Sequence, residues 1–122
     1  MASDNSKRTA SLLQVADRYY HAMVNADEET LRALFEPRAP IMGYYEGEFI
    51  WQALDDFVDE TKSLIGQHGP HETRLESLKI DGDIASVCVS GRYAGVWVVD
   101  HLLLIETDGA WVITSKSFHV RS

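Results

Sequence analysis

Two Asp-Gly dipeptides constrain this chain more than any other feature in it. Asp81-Gly82 and Asp108-Gly109 each lie between runs rich in Val, Ile, Leu and aromatic residues. Asp-Gly readily takes the positive φ angles of a two-residue turn between twisted antiparallel strands, so each dipeptide marks a hairpin. The last third of the chain therefore reads as four antiparallel strands, over about residues 71–80, 83–93, 95–107 and 110–121. Most of what precedes them reads as helix meant to cover one face of that sheet.

Apolar residues at three- and four-residue spacing predict a helix over about 7–26, carried by Leu12, Val15, Ala16, Tyr19, Tyr20, Met23 and Ala26. Asp27 is a suitable N-cap for a short second helix, Glu28 and Glu29 complement its dipole, and Pro37 stops it. Ile41 to Tyr45 and Glu48 to Ile50 read as a strand pair around Glu46-Gly47. A third helix is expected over about 51–65, with Trp51, Leu54, Phe57, Val58, Thr61, Leu64 and Ile65 on its buried side. Its acidic residues, Asp55, Asp56, Asp59 and Glu60, read as a solvated face, because no ligand loop interleaves them.

A chain of 122 residues can bury one core without disulfides or metal, which predicts a single domain over 7–122 behind a frayed tail at 1–6. The net charge of −8 argues against a nucleic-acid or anionic-membrane partner. Cys88 is the only cysteine and sits in an apolar run, so it reads as a small buried hydrophobe. His68 and His71 have a spacing a metal can use, but no further ligand adjoins them, so neither metal nor cofactor is expected. No stretch is long and apolar enough to span a membrane, and the polar N-terminus has no secretory character. A cytoplasmic protein is the expectation.

Strict alternation along the last strand places Trp111, Ile113, Ser115, Ser117 and His119 on one face, with Val112, Thr114, Lys116, Phe118 and Val120 on the other. In the third long strand, Val98, Asp100 and Leu102 oppose Trp97, Val99, His101 and Leu103, and both faces are apolar. A second copy of the chain is the natural cover for the outer set, so Trp97, Val99, His101 and Leu103 are expected at a homodimer interface. On the inner set Asp100 stands among aliphatic neighbours, where a carboxylate needs a partner, a raised pKa or a wet cavity. His119 is the expected partner, and a purely structural Asp100 held by backbone amides or a tyrosine is the plainer reading.

The element order resembles the NTF2-like superfamily, which includes SnoaL-like and ketosteroid-isomerase-like proteins. The resemblance rests on residues 20–27, on Leu31 to Phe35 before Pro37, and on the closing Asp108-Gly-Ala-Trp-Val-Ile113. Residues 80–87, Val99-Asp-His-Leu-Leu-Leu104 and Phe118-His119 are similar to the small bacterial lumazine-binding group within it. The resemblance implies an α+β cone, a curved antiparallel sheet wrapped around three helices, enclosing a pocket and often forming a homodimer. It also implies that function varies, from pure binding to cofactor-independent isomerases, dehydratases and cyclases. The expected pocket wall is Tyr19, Met23, Met42, Tyr44 and Trp111, and the ligand a small apolar or aromatic molecule. For an enzyme, Asp100 and His119 are the acid–base pair and Tyr19 or Tyr44 the oxyanion donor. Ile41-Met42-Gly43-Tyr44 carries no carboxylate where the isomerase has its base, which argues against steroid isomerisation. The third expectation is a structural dimerisation module with no cavity.

Overall fold

Short turns with left-handed backbone set the sheet in the computed structural model, which describes residues 2–121, with side chains from residue 5 onward. The elements run α1 (Ala2–Val24), α2 (Glu28–Leu34), β1 (Ile41–Tyr45), β2 (Glu48–Gln52), α3 (Leu54–Ser63), β3 (Thr73–Asp81), β4 (Ile84–Tyr93), β5 (Val96–Thr107) and β6 (Ala110–Arg121). Asp108 and Gly109 both have positive φ, 51° and 79°, as do Glu46 and Gly47 between β1 and β2. Asp81-Gly82 works one residue out of step. Asp81 pairs with Ile84, so the loop is Gly82-Asp83, and only Gly82 has positive φ.

The strands lie in the order β2-β1-β6-β5-β4-β3 in one sheet. Every neighbouring pair is antiparallel, as expected, except β1 and β6, which run parallel, so the sheet is mixed. The connection between those two passes through β2, α3 and the three long strands, ample length for parallel neighbours.

The helices fill the concave side. Leu12, Ala16, Tyr19, Tyr20 and Met23 of α1 pack with Leu31, Leu34 and Phe35, with Leu54, Phe57 and Val58 of α3, and with inner-face residues of the sheet such as Ile41, Val87, Leu102, Leu104, Trp111 and Ile113. Each large side chain fully buried here contributes about 1.5–3 kcal/mol. Asp27 caps α2 as expected, accepting from the Thr30 amide at 3.2 Å and the Thr30 hydroxyl at 2.7 Å. The acidic face of α3 is tied to α2 through Arg32–Asp55 (2.7 Å) and Lys62–Glu28. At the narrow end Arg8 of α1 reaches Glu106 and the Gly82 carbonyl, and stacks on the Trp111 indole, whose N–H donates to the Arg8 carbonyl. Trp111 is thus a plug in the core, and it does not line the cavity at the opposite, wide end.

Three boundaries differ from those the sequence predicts. Helix α1 starts at Ala2, so the tail expected over 1–6 is helical from its second residue, while residue 1 lies outside the described residues. It ends at Val24, where Ala26 turns the chain with φ 52°. Trp51 belongs to β2 and not to α3: its apolar character is used on the outer face of the sheet, where it pairs with Met42 and is largely exposed.

Two close contacts hold the wide end. Gly43 faces Phe118 across the parallel pair, and a Cβ there would stand 2.4 Å from the Phe118 carbonyl oxygen and 2.7 Å from its ring. The β4–β5 turn is Ala94-Gly95, both left-handed, which is unusual for alanine. The Ala94 amide donates to Nδ1 of buried His68 at 2.9 Å, and the His68 ring stacks on Tyr93 with centroids 4.8 Å apart. That bond requires an unprotonated Nδ1.

Two outcomes follow from these contacts. Gly43→Ala forces β1 away from Phe118 and should cost about 1–3 kcal/mol, read as a lowered denaturant midpoint at unchanged slope. Burial first, and His71 second, hold the His68 pKa below the usual histidine range. The folded state therefore binds its proton later than the unfolded chain. The stability this supplies is complete above about pH 6.5 and is lost as pH falls below it. In His68→Asn, whose side-chain carbonyl can accept in place of Nδ1, Tm should fall less than in wild type between about pH 7 and about pH 5; parallel curves would remove His68 from the acid response.

Candidate functional site

The last strand does not keep its alternation. Leu103 pairs with Ser115 but Leu104 pairs with Ile113, leaving Thr114 as an extra residue on β6. Its hydroxyl donates to the Leu103 carbonyl at 3.1 Å. A single extra residue exchanges the two faces of everything beyond it. Trp111 and Ile113 point into the core before the bulge, and Lys116, Phe118 and Val120 point inward after it. His119 is thereby turned to the outer face, exposed and paired with Val99, while Asp100 pairs with Phe118 on the inner face. The expected Asp100–His119 pair does not form; Lys116 takes the place of His119.

Asp100 and Lys116 are both buried, with Asp100 Oδ2 3.8 Å from Lys116 Nζ. The hydroxyl of Tyr19, also buried, donates to Asp100 Oδ2 at 2.5 Å. Asp100 Oδ1 is buried and has no hydrogen-bond partner among the described residues. Lys116 Nζ lies 4.0 Å from the Phe57 ring centroid, 5.3 Å from that of Tyr19 and 6.0 Å from that of Tyr93. The Met23 sulfur stands 3.7 Å from it and 3.3 Å from the Tyr19 oxygen. Beside this group the Tyr93 hydroxyl donates to Glu60 Oε2 at 2.7 Å, and Gln52 donates to Glu60 Oε1 at 2.9 Å.

Burial dominates the protonation of these groups. It pushes the Tyr19 phenol well above its ordinary value, with the Asp100 charge adding to it, and it raises Tyr93 beside Glu60 in the same way. Both tyrosines therefore stay protonated donors across the physiological range. Burial lowers the Lys116 pKa, against the opposing pull of Asp100 and Glu60. A buried ammonium loses more hydration than a single carboxylate at 3.8 Å returns.

These groups meet a cavity of about 320 Å³ at the wide end of the cone. Asp100 and Lys116 line it with Met23, Phe57, Tyr93 and Phe118, and Tyr45, Ile50 and Val96 line it too. Of the residues expected at the pocket, Asp100 and Met23 line it, and Tyr19 supports Asp100 from the core. Met42 and Tyr44 point the other way. Ile41 and Gly43 are paired with the inward residues Lys116 and Phe118, so their neighbours Met42 and Tyr44 lie on the outer face beside Ser117 and His119. The expected outer set is on that face too, with Leu103 and His101 exposed, Trp97 stacked under Arg74 and Arg92, and Val99 buried within the chain.

Lys116, Glu60 and Tyr93 are the site residues that alternation and periodicity miss. For Lys116 the signal was present: Ile113 and Phe118 are both large and apolar yet of opposite parity, and both can face the core only if an extra residue separates them. Chemically the floor offers an unused carboxylate acceptor beside an amine with N–H to spare, at the base of an apolar cavity. Among the described residues no group of three or more His, Cys, Asp or Glu is placed to hold a metal ion. No helix among the described residues is long and apolar enough to cross a membrane.

None of the curated proteins matches this chain. An NTF2-like protein of unknown function from Silicibacter pomeroyi DSS-3 is 29% identical, with a TM-score of 0.91 over 96% of this chain and 98% of its own. NTF2-like proteins of unknown function from Shewanella baltica OS155 (18% identical, TM-score 0.86, 96% of each chain) and Methylobacillus flagellatus KT (24%, 0.85, 95% of this chain and 94% of that one) share the fold. The model of the family described as "Putative lumazine-binding" matches residues 7–119, nearly the whole of the α+β cone, and the chain belongs to that family, within the NTF2-like superfamily.

Proposed function

We propose that the protein binds a small, flat, mainly apolar molecule in the wide end of the cone, with the molecule's hydrogen-bonding edge against Asp100 and Lys116. The observation that carries this reading is the floor of the cavity. It holds a buried carboxylate with one oxygen unpaired among the described residues, in a space walled largely by apolar side chains such as Met23, Phe57, Val98 and Phe118, with Gln52, Glu60 and Tyr93 as further polar neighbours. A buried acceptor without a partner costs about 1–3 kcal/mol, which a ligand N–H or O–H would recover. Lys116 would meet a carbonyl on the same edge. A lumazine, as the family's description suggests, is a flat bicyclic ring with amide N–H and C=O groups along one side, and its size suits the cavity.

A second reading is a cofactor-independent isomerase, dehydratase or cyclase. The unpaired Asp100 oxygen in an apolar cavity favours it, since such a carboxylate can take a proton from carbon while Lys116 steadies the oxygen that gains charge. His119, on the outer face, has no part in it. A purely structural role is less well supported, because it leaves a cavity of about 320 Å³ unexplained.

The outer face supports a homodimer in addition. Tyr44, Phe49, Trp51 and Leu103 are 64%, 57%, 60% and 53% exposed on it, an apolar surface larger than scattered single residues account for. Trp97 and His101 extend the same face, with Val99 packed beneath them.

For the ligand, titration with lumazine, read by its own fluorescence and by Tm, should give saturable one-to-one binding. Asp100→Asn keeps the shape of the floor but replaces a charged acceptor, and should weaken binding about tenfold to a hundredfold. Equal affinity in the two proteins would take the ligand away from the floor. For the assembly, light scattering at micromolar concentration should give twice the mass of one chain, and Leu103→Glu should halve it. A wild-type protein of single-chain mass would end the dimer proposal.

A further inference from the structure

The floor of the cavity has a second property, which rests on reading the cone as a ligand site: its one cation is an amine capable of covalent chemistry. Lys116 stands alone among the chain's lysines. Lys7, Lys62 and Lys79 are exposed, and Lys62 and Lys79 are paired with carboxylates on the surface. Lys116 is 4% exposed and lines the cavity. Its nitrogen is enclosed by Phe57, Tyr19, Tyr93 and Met23, with Asp100 at 3.8 Å as the nearest charge and Glu60 contributing from farther off. That separation is too long for a hydrogen bond, so the amine is not locked to the carboxylate.

We propose that Lys116 captures the carbonyl group of an apolar aldehyde or ketone as an imine in the cone. The lone pair of the neutral amine adds to the carbonyl carbon, and the C=O π electrons move to oxygen. Nitrogen gives up a proton to Asp100, and Asp100 passes it to that oxygen, yielding a neutral carbinolamine. A proton from solvent, relayed by Asp100, then reaches the hydroxyl, the C–O bond breaks, water leaves, and the nitrogen lone pair forms the C=N bond of a protonated imine. The sum is amine plus carbonyl plus one proton to protonated imine plus water, with no oxidant or reductant. The parts match the steps. Tyr19 orients Asp100 through Oδ2, the oxygen 3.8 Å from Lys116 Nζ, and Oδ1 has no partner among the described residues, so the carboxylate keeps capacity to receive and return the proton. The aromatic walls stabilise the cationic, protonated imine as they do the ammonium. Burial in such walls favours the neutral, nucleophilic amine.

Wild-type protein is incubated at neutral pH with cinnamaldehyde and sodium cyanoborohydride, which reduces an imine to a stable secondary amine, and the adduct is mapped by peptide mass spectrometry. Burial favours the neutral amine and the cavity holds the aldehyde beside it, so Lys116 should be labelled in clear excess, about tenfold, over each of Lys7, Lys62 and Lys79. Lys116→Met should reduce total labelling to that of the exposed lysines, but the mapping on wild type stands without the variant. Cinnamyl alcohol, of the same shape but unable to form an imine, separates the two layers of the argument. If the alcohol raises Tm while the aldehyde labels lysines only in proportion to exposure, covalent capture is overturned and the binding pocket stands. If neither compound raises Tm and Lys116 stays unlabelled, both are overturned.

Discussion

A strand presents the same face only at every second residue, and β6 breaks that count once, at Thr114. The rest of the wide end depends on this extra residue. Before it, Trp111 and Ile113 complete the hydrophobic core against α1 and α2. After it, the inward positions are Lys116, Phe118 and Val120, which border a cavity. Without the bulge, the strand would send Ser115, Ser117 and His119 inward and expose Lys116 and Phe118. The cone would then have a polar lining and a basic, aromatic exterior. One residue thus separates a packed half from an open half along a single strand.

The open half is costly to maintain. Asp100 and Lys116 have both left water, and at 3.8 Å without a direct hydrogen bond their attraction does not restore what hydration gave each. Tyr19 offsets part of the cost on one carboxylate oxygen, and Phe57 offsets part on the ammonium through its ring face. Packed hydrophobic side chains of similar volume would serve folding at least as well. The floor therefore contributes little to holding the cone together, and its polar groups are better accounted for by what enters the cavity.

Much of the fold is legible in the sequence because its signals are local. Asp108-Gly109 encodes a turn by itself, Asp27 encodes a cap, and the apolar stripe of α1 encodes a face. The site is less legible because it depends on parity counted along whole strands. Asp100 is found because β5 is regular where it lies: an acid between Val98 and Leu102 is conspicuous wherever the strand pairs. Tyr44 and Met42 are misplaced because the parallel partner of β1, which decides which way they face, is 75 residues away along the pairing of Tyr44 with His119. Trp51 is misread because an apolar residue preceding an amphipathic helix extends the helical pattern whether or not the backbone does. His119 fails for the reason Lys116 is missed, since both lie beyond Thr114.

The same arrangement ties the outer face to the inner one. Because β4 and β5 are paired residue for residue, and β6 joins them so beyond Thr114, whatever lies on the convex surface there is fixed by what lines the cavity: Phe118 inward requires His119 outward beside Val99, and Asp100 inward requires His101 outward beside Ser117. A partner pressing on Leu103, His101 and Tyr44 would therefore bear on the very strands that carry Asp100 and Lys116, one residue removed. In a packed interior such strands move as units and not side chain by side chain. A second subunit on the convex face would stiffen the cavity floor without contributing a residue to it, and the bulge at Thr114 places both surfaces in register.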